Sequence, residues 1–194
     1  MRDESTVERR AQIAHQHADP TYSDAQLAGL IRDVADFPKK GILFKDITTL
    51  LKEPRAFKQA IDRLTDLVRA RSPRVVIGME SRGFIFAAPI AYMLDAGFVP
   101  VRKLGKLPGE VISTEYDLEY GTNTLELHAD AVARGDRVLI VDDLLATGGT
   151  VSATIELVEQ LQGEVVAVAF LVELTALRGR DRLGDYDVIS LIRF

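Results

Sequence analysis

An α/β fold, a mostly parallel twisted sheet flanked by helices, is predicted by three features of the sequence. Val138-Leu139-Ile140-Val141 is an unbroken aliphatic run, the pattern of a strand buried on both faces. Comparable runs at 74–77, 98–101 and 165–172 alternate with stretches of helical periodicity, the signature of strand-helix-strand units. The length of 194 residues and a hydrophobic content of 47% suit one domain with a sizeable core. A net charge of −5 argues against a nucleic-acid binder, whose affinity would rest on basic surface. The sequence has no cysteine, which excludes disulfides and thiol chemistry and fits a reducing, cytoplasmic setting. No apolar run is long enough to span a membrane, and the N-terminal MRDESTVERR is not a signal peptide.

Taken in order, residues 1–20 read as a polar extension and 21–194 as a single domain. His15 and His17 are two apart, on different helix faces, so they do not form a helical metal pair. Ser23 and Gln26 form a capping box, and Leu27, Leu30, Ile31 and Val34 fall on one helical face behind it. Residues 36–48 form a loop punctuated by Pro38 and Gly41 that runs into a short extended segment. Pro54 starts an amphipathic helix carrying Phe57, Ala60, Ile61, Leu64, Leu67 and Val68, which stops at Ser72-Pro73. The strand at 74–77 leads through Gly78 to Phe84 into a helix with Ala87, Ala88, Ile90, Ala91 and Leu94, ending near Gly97. After the strand at 98–101, Arg102, Lys103 and Lys106 precede a long polar hairpin, the kind of insertion that serves as a lid, at about 102–125. His128, at the end of its returning strand, reads as structural. Helix 151–162 with Gly163 as its stop, and strands at 165–172 and 186–192, complete the domain. Arg178 and Arg180 receive no role.

The chemistry concentrates at 137–150, RVLIVDDLLATGGT. Asp142 and Asp143 cannot stay buried unpaired, so the chain surfaces there, at the carboxyl end of a strand, where open α/β sheets place their ligands. In Ala146-Thr147-Gly148-Gly149-Thr150 two glycines let backbone N–H groups converge, two threonines add hydroxyls, and the helix start adds partial positive charge. That is a phosphate cradle. Acids beside it suit a sugar phosphate, with hydroxyls or a bridging cation at the acids. The stretch lacks the lysine of GxxxxGK[ST] and is not G-x-G-x-x-G.

Residues 138–150 resemble the phosphoribosyl-diphosphate motif of type I phosphoribosyltransferases. Three further segments point to the adenine-specific family: F-P-x-x-G-x-x-F-[RK]-D-I-T at 37–48, E-S-R-G-F at 80–84, and R-K-x-G-K-L-P-G at 102–109 with L-E-Y-G at 118–121. Residues 173–180 resemble the family's C-terminal connection. The resemblance covers about 24–194 and implies a base-binding hood at about 24–50, the hairpin lid, and transfer of a phosphoribosyl group from 5-phospho-α-ribosyl 1-diphosphate to adenine, giving AMP and diphosphate in purine salvage. By that resemblance Phe44 stacks on the purine, backbone groups near Leu43 read its edge, and Lys45 keeps the charge many members carry as Arg. A backbone carbonyl accepts from the exocyclic amine of adenine but would face the carbonyl of hypoxanthine. Ser81, Arg82, Arg102, Lys103 and Lys106 serve the diphosphate, with Arg82 and Lys103 catalytic. Asp142 and Asp143 hold the ribose hydroxyls, and Ala146, Thr147, Gly148, Gly149 and Thr150 hold the 5′-phosphate. No residue is a direct metal ligand by that resemblance; Mg2+ arrives with the substrate, near Asp142 and Asp143. Hypoxanthine-guanine enzymes carry an acid where this chain has Ala146, so proton handling falls to Glu119 on the lid, beside Tyr120. A homodimer is implied. The alternatives are another base, xanthine or orotate, and a purine-sensing regulator without turnover. Strand order does not follow from the sequence.

Overall fold

The structure, a computed structural model, describes residues 21–118 and 121–194. The polar extension at 1–20 with His15 and His17, and the lid residues Glu119 and Tyr120, lie outside the described residues. The aliphatic runs form β3 (Val75–Met79), β4 (Gly97–Lys103), β7 (Arg137–Leu145), β8 (Glu164–Glu173) and β9 (Val188–Arg193), joined by the hairpin strands β5 (Val111–Leu118) and β6 (Gly121–His128). They make one seven-stranded sheet in the order β5-β6-β4-β3-β7-β8-β9, parallel from β4 to β9. Strands β3 and β7 sit side by side at the centre and lead away in opposite directions, to β4 and to β8. Their carboxyl ends therefore flank a topological switch point, the crevice where such sheets bind ligands.

Burial on both faces explains the unbroken aliphatic runs. Val76, Leu139, Val141, Ala167, Ala169 and Leu171 point to one side, against α3 (Pro54–Arg69) and α4 (Gly83–Met93). Their strand neighbours Ile77, Met79, Ile140, Val168 and Phe170 point to the other, against α5 (Gly149–Gln160) and the hairpin. Each fully buried Leu or Ile of this kind is worth about 1.5–3 kcal/mol of transfer from water. The hairpin is part of the core at its base. Strand β6 pairs with β4 through Arg102↔Glu126 and Lys103↔Leu125, Leu125 and Leu127 are buried, and Gln160 of α5 donates to Thr114 Oγ1 at 3.1 Å. Among the described residues no helix is long and apolar enough to cross a membrane.

Three local expectations need correction. The capping box of Ser23 and Gln26 is present, but the helix it starts, α1 (Asp24–Gly29), is short. Val34 lies in β1 (Arg32–Ala35), because this segment finds an antiparallel partner in β2 (Leu43–Asp46), with Val34 opposite Phe44. Leu67 and Ala88, expected among the packing residues of their helices, are exposed because, among the described residues, nothing covers that side of α3 or α4. At the end of α5 the left-handed residue is Gln162, φ 62°, one position before the expected stop. Gly163 serves space instead: a Cβ there would lie 2.7 Å from Val132 Cγ1 and 2.9 Å from Val158 Cγ1.

The two-stranded hood turns into α2 (Thr48–Leu51) through Asp46, which accepts from Thr48 N at 2.9 Å, Thr48 Oγ1 at 2.7 Å and the Arg32 guanidinium. The Thr48 and Arg32 bonds hold its carboxyl at about 2, below the ordinary 3.8. The native state thus binds fewer protons than the unfolded chain between those values, so this carboxylate stabilises fully above about pH 4 and its contribution is lost as pH falls toward 2. Asp46→Asn is expected to cost about 1 kcal/mol at pH 7. The deficit should shrink below pH 4 in denaturant titrations at matched pH.

Candidate active site at the switch point

Two loops leave the carboxyl ends of β3 and β7. The first, Glu80-Ser81-Arg82, passes directly into α4; the Glu80–Ser81 peptide is cis. Gly83 brings that helix start close to β7, since a Cβ there would stand 2.8 Å from Asp142 Oδ1 and 2.9 Å from Val141 O. The close approach sets Arg82 Nε 2.9 Å from Asp143 Oδ2. Oδ2 is nevertheless buried without a hydrogen-bond donor, because the Arg82 N–H is not aimed along that line. Asp142 Oδ1 accepts from the Asp143 amide at 2.9 Å. Burial pushes both carboxyls up; the charge of Asp143 drives Asp142 up further, while Arg82 pulls Asp143 back down. The Arg82 guanidinium also lies 5.4 Å from the centre of the Phe44 ring, and Phe37 meets Phe44 edge-on at 5.1 Å. One arginine thus joins the hood aromatic to the paired acids.

The second loop, 146–150, closes a small cleft whose wall includes Met79, Asp142 and Phe170. Gly148 is the N-cap of α5 in the left-handed region, φ 82°, with no side-chain cap, and Ser152 N makes the first helical bond, to Gly148 O. The N–H groups of the helix's first turn are therefore left without an intrahelical acceptor, which favours an anion there. Thr154, buried one turn on, donates to Thr150 O at 3.0 Å and lies 3.1 Å from Met79 Sδ, tying α5 to β3.

Glu80 clasps the loop after β3 to the end of β4. It accepts from Lys103 N at 3.0 Å and from Arg102 Nε and Nη2 at 3.2 and 3.3 Å, and the Lys103 amide, more than the arginine, holds its carboxyl below the usual range. Buried Glu126 accepts from Gly105 N at 2.8 Å and pins the turn between the lysines. Arg102 is thereby a half-buried bracing group, and Lys103 and Lys106 are exposed. On the resemblance's reading that the segments at 80–84 and 102–109 serve the diphosphate, Glu80→Gln is expected to lower kcat/KM for the diphosphate-bearing substrate about tenfold through the weakened charge-assisted bonds, with little change in KM for the base. Initial rates with each substrate varied in turn check this.

The comparisons with known proteins agree with this geometry. A family model described as a phosphoribosyl transferase domain matches residues 46–194. An adenine phosphoribosyltransferase of Clostridium kluyveri is 57% identical over 164 residues, 84% of this chain and 95% of that protein. The chain belongs to the adenine phosphoribosyltransferase family. The crystal structure of the Thermoanaerobacter pseudethanolicus family member superimposes with a TM-score of 0.86 at 55% identity, covering 89% of this chain and all of that one. The Saccharomyces cerevisiae enzyme, crystallised with adenine and an imino-altritol bisphosphate, gives a TM-score of 0.83 at 38% identity, covering 87% and 98% of the two chains.

Of the residues singled out from the sequence, Ser81, Arg82, Asp142, Asp143 and the 146–150 loop converge on the switch point, with Phe44 facing Arg82 from the hood. Lys45 does not join them. Neighbouring residues of a strand project to opposite faces, and the Lys45 ammonium lies 2.7 Å from Asp33 and 3.9 Å from the centre of the Phe194 ring. Leu43, at the start of β2, is half exposed. Glu80 and Gly83 were not expected as positioning groups. The signal for Glu80 was an acid directly before S-R-G in a chain whose next cations, Arg102 and Lys103, had no acid nearby in sequence. Among the described residues no cluster of three His, Cys, Asp or Glu side chains is set to hold a metal. An all-protein cage is thus absent there, but two acids, one with an unpartnered buried oxygen, fit a divalent ion that brings its own phosphate ligands.

Proposed function

We propose that the chain transfers the phosphoribosyl group of 5-phospho-α-ribosyl 1-diphosphate to adenine, releasing diphosphate and forming AMP, and that it does so in the cytoplasm as a homodimer. The observation that carries the reading is Arg82, which touches the hood aromatic on one side and the paired acids on the other. A base stacked on Phe44, a ribose at Asp142 and Asp143, and a 5′-phosphate in the 146–150 loop would then lie in sequence across one crevice. Breaking the anomeric C–O bond builds positive charge on the ribose and negative charge on the departing diphosphate. Arg82 and Lys103, with Lys106 and the N–H groups near Ser81, stabilise the latter, and the two carboxylates face the former. Orientation supplies most of the remainder. Magnesium brought by the substrate, held near Asp142 and Asp143, would neutralise diphosphate charge. Glu119 is the group assigned to the purine proton, with Tyr120 beside it on the lid. The dimer reading is supported by exposed apolar side chains on α4 and β4, Tyr92 at 88% and Phe98 at 39% exposure.

The test is diphosphate release with magnesium and phosphoribosyl diphosphate, offering adenine, hypoxanthine, guanine, xanthine and orotate separately. Release with adenine alone is the expected result. Release with another base overturns the base assignment and keeps the chemistry. Silence with all five, with the phosphoribosyl substrate still bound, overturns turnover itself and favours a purine sensor.

A further inference from the structure

We propose that Gly179 and Arg180, in the connection after β8, are positioning residues for the 5′-phosphate loop. This inference rests on the reading that the 146–150 loop holds that phosphate. The two backbones meet without room for a side chain. A Cβ on Gly179 would collide with Ala146 O and lie 2.8 Å from Leu145 Cδ1, and a Cβ on Gly148 would lie 2.7 Å from Gly179 O. The phosphate loop therefore rests against the first residue of α6 (Gly179–Leu183), and its shape depends on where that residue is held.

Arg180 does the holding. Its Nε and Nη2 donate to the two oxygens of Glu173 at 2.7 and 2.8 Å, its Nη1 to Val188 O at 2.7 Å and its Nη2 to Ser190 Oγ at 3.2 Å. Glu173 is itself buried at the end of β8, in register with Leu145 on β7 and Arg193 on β9. A bidentate arginine is thus fastened to β8 and β9, β8 being the partner of the strand β7 that leads into the phosphate loop, and its neighbour Gly179 buttresses that loop from outside. The fork geometry resists rotation in a way a single lysine bond does not. Buttressing a preformed loop cuts the ordering cost of binding, so its loss appears in the affinity for any ligand bearing the 5′-phosphate. Adenine and free diphosphate, which lack that phosphate, do not use the loop.

Arg180→Met leaves Glu173 a second cation, Arg193 Nε at 3.3 Å, so the fold has a remaining partner for the buried charge. The expected result is a roughly tenfold rise in KM for phosphoribosyl diphosphate and in the calorimetric Kd for AMP, with KM for adenine and Kd for diphosphate unchanged. Gly179→Ala should give the same split without touching the ion pair, Arg180→Lys should not restore wild-type affinity, and Asp181→Asn, at the exposed partner of Arg178, should behave as wild type. A lowered melting temperature with all four constants unchanged would make the pair merely structural and overturn the proposal, as would an equal rise in all four. The Thr147→Ala, Thr150→Val double variant separates this from failure of the phosphate reading. If it leaves AMP affinity intact, the loop does not hold the phosphate and the proposal falls with it; if it weakens AMP while Arg180→Met does not, only the proposal falls.

Discussion

Arg82→Ala is expected to reduce kcat by about 10² to 10³-fold, the scale set by removing one preorganised group from the charge that develops on a leaving group. KM for adenine should also rise, by a smaller factor, because the same guanidinium lies against Phe44 of the hood. The double signature distinguishes Arg82 from Lys103, whose exposed ammonium approaches no hood aromatic and whose loss should touch the diphosphate half-reaction alone. Arg82→Lys should recover little. An ammonium keeps the charge, but it lacks both the Nε that stands 2.9 Å from Asp143 and the planar group whose Cζ lies 5.4 Å from the centre of the Phe44 ring. Steady-state kinetics with each substrate varied, together with pre-steady-state measurement of diphosphate release, decides the case. An unchanged kcat would remove Arg82 from the chemistry.

Asp142→Asn should lower kcat/KM for phosphoribosyl diphosphate by about 10²-fold through loss of a charge that faces the ribose, and at the same time raise the melting temperature of the free protein. The opposite signs follow from its surroundings. Burial and the neighbouring Asp143 charge lift the Asp142 carboxyl well above its ordinary range. The folded state then binds more protons than the unfolded chain at any pH between the two values, so stability falls as pH rises from about 4 through that window. Asparagine removes the charge and keeps an Oδ1 acceptor for the Asp143 amide. The stabilisation should therefore be small near pH 5 and grow toward pH 8 in thermal melts. A cation at the site favours the ionised acids, so the affinity of the wild type for its magnesium-bearing substrate should rise over the same interval. A variant equally stable at both pH values would show that Asp142 is not held against its charge.

The parts of the site that could be read from the chain are those in which the acting groups are neighbours in sequence. Two acids ending an aliphatic strand, a T-G-G-T turn and a helix start are set together by local geometry, and Arg82 follows its strand in the same way. Glu80 could not be assigned from the chain, since its partners Arg102 and Lys103 lie more than twenty positions on and reach it only because β3 and β4 are adjacent. The Glu173–Arg180 pair is close in sequence, yet its meaning depends on Gly179 touching a loop some thirty residues earlier. Lys45 sat within a matching segment, but strand alternation turns its ammonium toward Asp33 and Phe194. Val34 had helical spacing and became a strand because β2 offered backbone partners.

The sequence by itself determined the α/β class, the strand-helix order, the glycine loop at 146–150 and the paired acids, because periodicity, chain direction and glycine placement act over a few residues. Only the tertiary structure decided the strand order that makes β3 and β7 the switch point, the contact between Phe44 and Arg82, and the close approach of Gly179 to the 146–150 loop. Each of these depends on which surfaces meet once the two faces of the sheet are buried. That is set by packing among distant segments, and no local pattern encodes it.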